Sequence, residues 1–190
     1  MSHSQLIWLS SAIALLGTGM LTLTAILGNL LTSHTNQKLQ LTRGQAFKHH
    51  RLISILGVVL ILFHPVPLVF AQSTTGVSLA SVFVPFLAEK KIIIIAVGVF
   101  ALYALLVVLV SSLYVKYLKR KVWRVLHYGS YLFFGLGFWH GLSISDNFEP
   151  NTEVSLLNPK KILLEVQIVI LLLLVVWRVM LYRNQRKSMQ

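Results

Sequence analysis

Four of the seven histidines stand in two pairs of nearly equal spacing: His50 and His64 are 14 positions apart, His127 and His140 are 13 apart. Fourteen residues of α-helix rise about 21 Å and return to within roughly 40° of the same face, so one helix bearing His50 and His64 presents two imidazoles at two depths. His127 and His140 repeat the depths, but an ideal helix leaves them about 140° from a common face, which a helix distortion or different ring approach angles must absorb. Imidazole ligates metals, carries protons and switches with pH. Facing imidazoles at each of two levels form the donor set for two b-type haems, each held from opposite sides of the ring by residues on neighbouring helices. The expected pairs are His50 with His127 and His64 with His140. His49 could stand in for His50, with a slightly poorer phase to His64; His3 and His34 read as solvated loop residues.

The elements that must carry these histidines are transmembrane helices. The 190 residues are 56% apolar and only 12% charged, against roughly a quarter charged in soluble chains. Leu6 to Thr32 and Ile92 to Tyr114 contain no charged residue and exceed the ~20 residues needed to cross the hydrocarbon core. Hydropathy predicts one all-α membrane domain over residues 1–190, a bundle of five spans at about 6–32, 50–71, 92–118, 123–144 and 162–182. The first apolar run lacks a basic leader and is too long for a signal peptide, so it is expected to be retained. Gly76 to Leu87 is apolar but too short to cross, and Pro85 is ill suited to a helix interior; an interfacial or re-entrant segment is expected there.

The net charge of +12 comes from clusters between spans, not from a basic face with aromatic platforms, which argues against nucleic acid. Thirteen of the seventeen Lys and Arg residues fall in the first connection, the third connection and the C-terminal tail. By the positive-inside rule these regions are cytoplasmic, with the N-terminus outside, the C-terminus inside, and the second and fourth spans parallel. The localisation expected is a multi-pass protein of the plasma (inner) membrane. There are no cysteines, which excludes disulfides, thiolate haem ligation and cysteine-held iron–sulfur clusters.

Haem propionates are anionic, so Arg51, Arg124 and Lys121 near the inner pair are candidate partners, although the same residues serve the topology signal. Trp123, Tyr128, Tyr131 and Trp139 are candidates to pack on the rings or to form interfacial belts. Gly57, midway between His50 and His64, and Gly135, Gly137 and Gly141, near His140, either admit a flat macrocycle or serve ordinary helix packing.

These residues give a resemblance. KHHRLISILGVVLILFH, with His50 and His64, KVWRVLHYGSYLFFGLGFWHG, with His127 and His140, and more weakly VFVPF at Val82 to Phe86 are similar to the ferric-reductase-like transmembrane domain family, which includes the membrane part of NADPH oxidases and ferric-chelate reductases. The resemblance covers most of the chain. It implies two stacked b haems passing electrons from a cytoplasmic donor to an outside acceptor such as a ferric chelate or oxygen. The sequence has no GxGxxG motif and stops about eight residues after the last span, so no flavin or nicotinamide site is expected within it, and the donor is expected to be a separate flavoprotein or the quinol pool. A related member is the haem subunit feeding a periplasmic methionine sulfoxide reductase; histidine at position 50 favours the two-haem form. Delivery to such a periplasmic oxidoreductase, docking on the loop from Ser145 to Lys161, is the alternative. A histidine-based proton or ion transporter is a third reading, disfavoured because Glu165, near one end of the last span, is the only acidic residue within the spans and no paired broken helices are expected.

Overall fold

The computed structural model describes residues 1–32, 42–145 and 159–187. Among these, every regular element is helical. The helices are α1 His3–Thr32, α2 Arg43–Phe63, α3 Val66–Phe70, α4 Gln72–Thr75, α5 Leu79–Phe83, α6 Ile92–Leu113, α7 Arg120–His127, α8 Gly129–Ser145 and α9 Pro159–Lys187, with a 3₁₀ turn at Val115–Tyr117.

Helices α1 and α2 start earlier than hydropathy predicts, and side-chain caps explain why. At α1, Ser2 N–H donates to Gln5 Oε1 at 2.8 Å and Gln5 N–H donates to Ser2 Oγ at 3.3 Å. At α2, Thr42 and Gln45 make the same reciprocal pair, at 3.1 and 3.3 Å. Both are capping boxes, a polar residue followed three positions later by glutamine, which satisfy donors that have no partner inside the helix. The cap extends α2 seven residues before His50, so that histidine sits two turns inside a helix instead of at its end.

Four helical stretches are long and apolar enough to cross a membrane: His3–Leu31, Gly44–Phe70, Ile92–Leu113 and Pro159–Leu181. Their outward apolar side chains, such as Leu163, Val169, Leu172 and Val176 of α9, suit a lipid solvent in which the helix satisfies its own backbone. The expected span over 123–144 is instead divided at Tyr128 into α7 and α8, of 8 and 17 residues. Tyr131 N–H bonds the Tyr128 carbonyl at 3.0 Å, a tighter 3₁₀-type closure that interrupts the α-helical ladder.

A second break follows His64. Pro65 and Pro67 have no N–H to offer the carbonyls of Ile61 and Phe63, and the chain turns before α3 begins at Val66. Leu68 and Val69 N–H both bond Pro65 O, at 3.0 and 3.1 Å. The His64 carbonyl therefore takes its hydrogen bond from another helix, Ser10 Oγ at 2.6 Å.

Residues 71–91 form a small folded cap, and Gly76 to Leu87 does not cross as one helix. Gly76 ends α4 at φ 71°, where an added Cβ would lie 2.8 Å from the Lys90 backbone nitrogen. Glycine is required there on both counts. Lys90 Nζ reaches the Ser73 and Thr74 carbonyls at 3.2 and 3.0 Å, and Glu89 N–H bonds Gly76 O at 3.0 Å. Val77, Ala88 and Ile95 form the buried cluster beneath, with Leu68, Val69 and Val82 against it. Pro85 falls in the turn after α5, whose Phe83 carbonyl accepts from the Tyr103 hydroxyl on α6.

The chain divides into two units, Ala12–Phe63 with Ile162–Gln190, and Met1–Ser11 with His64–Lys161. In the first, α1 and α2 pack antiparallel in constant register: Gly17 meets Ile61, Leu21 meets Gly57 and Gly28 meets His50. In the second, α6 backs α7 and α8 antiparallel: Ser112 meets His127, Val108 meets Gly129 and Gly98 meets His140.

Candidate functional site

His140 is half-buried in α8, and its Nδ1 lies 2.7 Å from the Ile94 carbonyl of α6. A carbonyl only accepts, so Nδ1 carries the proton and Nε2 keeps the lone pair available to a ligand. His64 stands opposite at the end of α2, with ring centroids 6.5 Å apart and planes 26° from parallel. At that separation the two rings do not hydrogen-bond to one another directly. A direct imidazole–imidazole hydrogen bond would bring the centroids to about 5 Å. One metal ion between two imidazoles, at about 2 Å from each nitrogen, sets them roughly 6.4 Å apart.

His64 supplies a second observation. Its Nδ1 is buried with no hydrogen-bond partner among the described residues, a state costing roughly 1–3 kcal/mol if nothing else engages it. Two half-buried imidazoles with nitrogen atoms uncommitted to the protein fit the axial donor set of a haem. Among the described residues no group of three or more His, Asp or Glu side chains gathers in metal-ligating fashion. Two facing histidines suit a metal whose remaining ligands arrive with its macrocycle.

His127 closes α7, half-buried, with Nδ1 3.4 Å from Ser112 Oγ on α6. Trp123 stacks on it at 5.0 Å between centroids and 27° between planes, one turn earlier on the same helix. Both His127 and His140 thus face α6, and the helix is interrupted at Tyr128 between them. Their opposite numbers on α6, Ser112 and Gly98, are 14 residues apart, or about 21 Å along the axis.

His50 lies in the other unit. Its Nδ1 is 3.0 Å from the Thr24 carbonyl of α1, so Nδ1 carries the proton as it does in His140. The neighbouring His49 is exposed, which favours His50 as the position turned into the protein. Arg51 and Arg124 are exposed, as is Lys121. Tyr128, Tyr131 and Trp139 are exposed by 56%, 48% and 58%, which suits a belt, whereas Trp123 packs inward on His127.

The glycines sort differently from their sequence neighbours. Gly57 is used in helix packing: a Cβ there would lie 2.9 Å from Leu21 Cγ and 3.2 Å from the Gly17 carbonyl oxygen on α1. Gly135 faces open space, and Gly137 meets only Phe133 at 3.8 Å. The glycines that touch histidine rings are Gly98, against His140, and Gly28, against His50. Sequence reasoning missed both, because nothing in one helix's pattern states which residue of another helix it will meet. His3, expected in a loop, opens α1, exposed, with Nδ1 2.6 Å from Thr74 Oγ1. His34 and most of the outer docking loop lie outside the described residues.

No protein-family model, curated protein or solved structure matches the chain. The functional reading therefore rests on the geometry and on the spacing of the histidines.

Proposed function

We propose that the protein is a transmembrane b-type cytochrome of the ferric-reductase-like kind, passing single electrons across the membrane through two bis-histidine haems. The observation that carries this reading is the opposed pair His64 and His140, with ring centroids 6.5 Å apart. The bilayer environment suggested by the apolar helices supports it. The inner pair, His50 with His127, follows from the sequence spacing.

The chain's own residues bind and orient. His64 and His140 would hold the haem at the outer level, and His50 and His127 the haem at the inner level. Ile94 O and Thr24 O hold the Nδ1 protons of His140 and His50, so each ring keeps its Nε2 lone pair and a fixed orientation. A bound haem supplies reversible one-electron redox chemistry, and the surrounding apolar helices exclude water and tune its potential. The donor is a flavoprotein or quinol on the cytoplasmic side. The acceptor is a ferric chelate, oxygen or a periplasmic oxidoreductase on the outer side, and the membrane is the plasma (inner) membrane.

A reduced-minus-oxidised absorption spectrum of the purified protein tests the proposal. The expected result is a b-type Soret shift at about two haems per chain. A preparation from haem-replete cells with no Soret band overturns it.

A further inference from the structure

Two histidines in different units are held by the same device. His140 Nδ1 lies 2.7 Å from Ile94 O, and the residue one helical turn onward from Ile94 is Gly98. His50 Nδ1 lies 3.0 Å from Thr24 O, and the residue one turn onward from Thr24 is Gly28. In a helix the carbonyl of residue i already accepts from the N–H of residue i+4. It has a second lone pair, but the side chain at i+4 ordinarily crowds the approach to it. With glycine at i+4 that approach is open, and an imidazole can lie across the bare backbone. The close contacts agree: a Cβ on Gly98 would be 2.8 Å from both Nδ1 and Cε1 of His140, and one on Gly28 would be 3.3 Å from Cε1 and 3.5 Å from Nδ1 of His50.

We infer that Gly28 and Gly98 are positioning residues, each opening a backbone carbonyl one turn earlier so that it fixes the Nδ1–H tautomer and the orientation of a haem-ligating histidine. The inference rests on the haem reading for its consequence, but not for the seat itself. A carbonyl bonded to Nδ1–H makes the imidazole a stronger donor at Nε2, and loss of such support typically weakens metal affinity by roughly 10–100-fold. The seats also differ in tolerance. An added methyl cannot share the space at Gly98 with the ring, whereas at Gly28 the ring need yield only a few tenths of an ångström.

The test compares Gly98→Ala, Gly28→Ala and a control, Gly44→Ala, whose Cβ meets nothing within 4 Å. Two readouts are made on the full chain in lipid nanodiscs. Nitrogen-15 spectra of histidine-labelled protein without haem report the ring tautomers. Redox titration of haem-loaded protein reports the potential of each component. In the parent protein His50 and His140 are expected as Nδ1–H tautomers. Gly98→Ala should lose that signal for His140 alone, raise the potential of one haem component and weaken its retention about tenfold or more. Gly28→Ala should move the other component in the same direction by less, and Gly44→Ala should move neither. Parent-like tautomers and potentials in Gly98→Ala overturn the inference; should that variant not fold, a parent-like Gly28→Ala overturns it. If the parent protein takes up no haem, the cytochrome reading fails, and the tautomer spectra still decide the seat.

Discussion

The spacing between His64 and His140 makes a specific prediction about their substitution. If both ligate one iron, either His64→Ala or His140→Ala removes the same haem, so each variant should retain about half the pigment of the parent. The double variant should lose no more than either single one, since the two side chains act as a unit. Additive losses in a pyridine haemochromogen assay would place them in separate sites. Gly76 offers a residue-scale test that does not involve haem. Its φ of 71° and the Lys90 backbone nitrogen 2.8 Å from a would-be Cβ predict that Gly76→Ala destabilises the cap over residues 71–91 by about 1–3 kcal/mol. Thermal unfolding in detergent measures this, and an unchanged midpoint would contradict it.

At the scale of elements, the two histidine-bearing helices are both interrupted, and each interruption has a function in the geometry. The prolines after His64 release its carbonyl to Ser10. The turn at Tyr128 lets His127 and His140 share the side facing α6 despite a spacing that an ideal helix would not align. Inserting one alanine after Gly129 turns the rest of α8 by about 100° and carries His140 off α6. The expected outcome is loss of the outer haem component with the inner component retained, read from the redox titration; retention of both components would refute the assignment. Much at this scale was legible in advance. The apolar stretches and the spacing of the histidines follow from length and periodicity. The early starts of α1 and α2 were legible too, in Ser2 with Gln5 and Thr42 with Gln45, but a hydropathy window is blind to a polar cap. The division of the expected span over 123–144 was not legible, because Tyr128 and Gly129 are compatible with a continuous helix. Contacts such as Gly98 with His140 depend on which helices pack together, which no single-helix pattern encodes.

For the whole molecule, the absence of cysteine from the sequence offers a direct route to orientation, because any introduced thiol is the sole labelling site. The positive-inside pattern puts the cap around Thr74 outside and the basic turn around Lys119 in the cytoplasm. Thr74→Cys should therefore react with an impermeant maleimide on intact cells, and Lys119→Cys only after permeabilisation. The opposite pattern would invert the direction of electron flow proposed above. Both positions are exposed in the structure, so labelling efficiency reports sidedness and not burial.

The acceptors that hold His50 and His140 are main-chain oxygens, of Thr24 and Ile94. Substitution at either position leaves the oxygen in place, so mutational scans of α1 and α6 should show these positions as tolerant while Gly28 and Gly98 are not. The sequence of such a protein can drift widely along its backing helices. What selection can see there is the lack of a side chain one turn farther on.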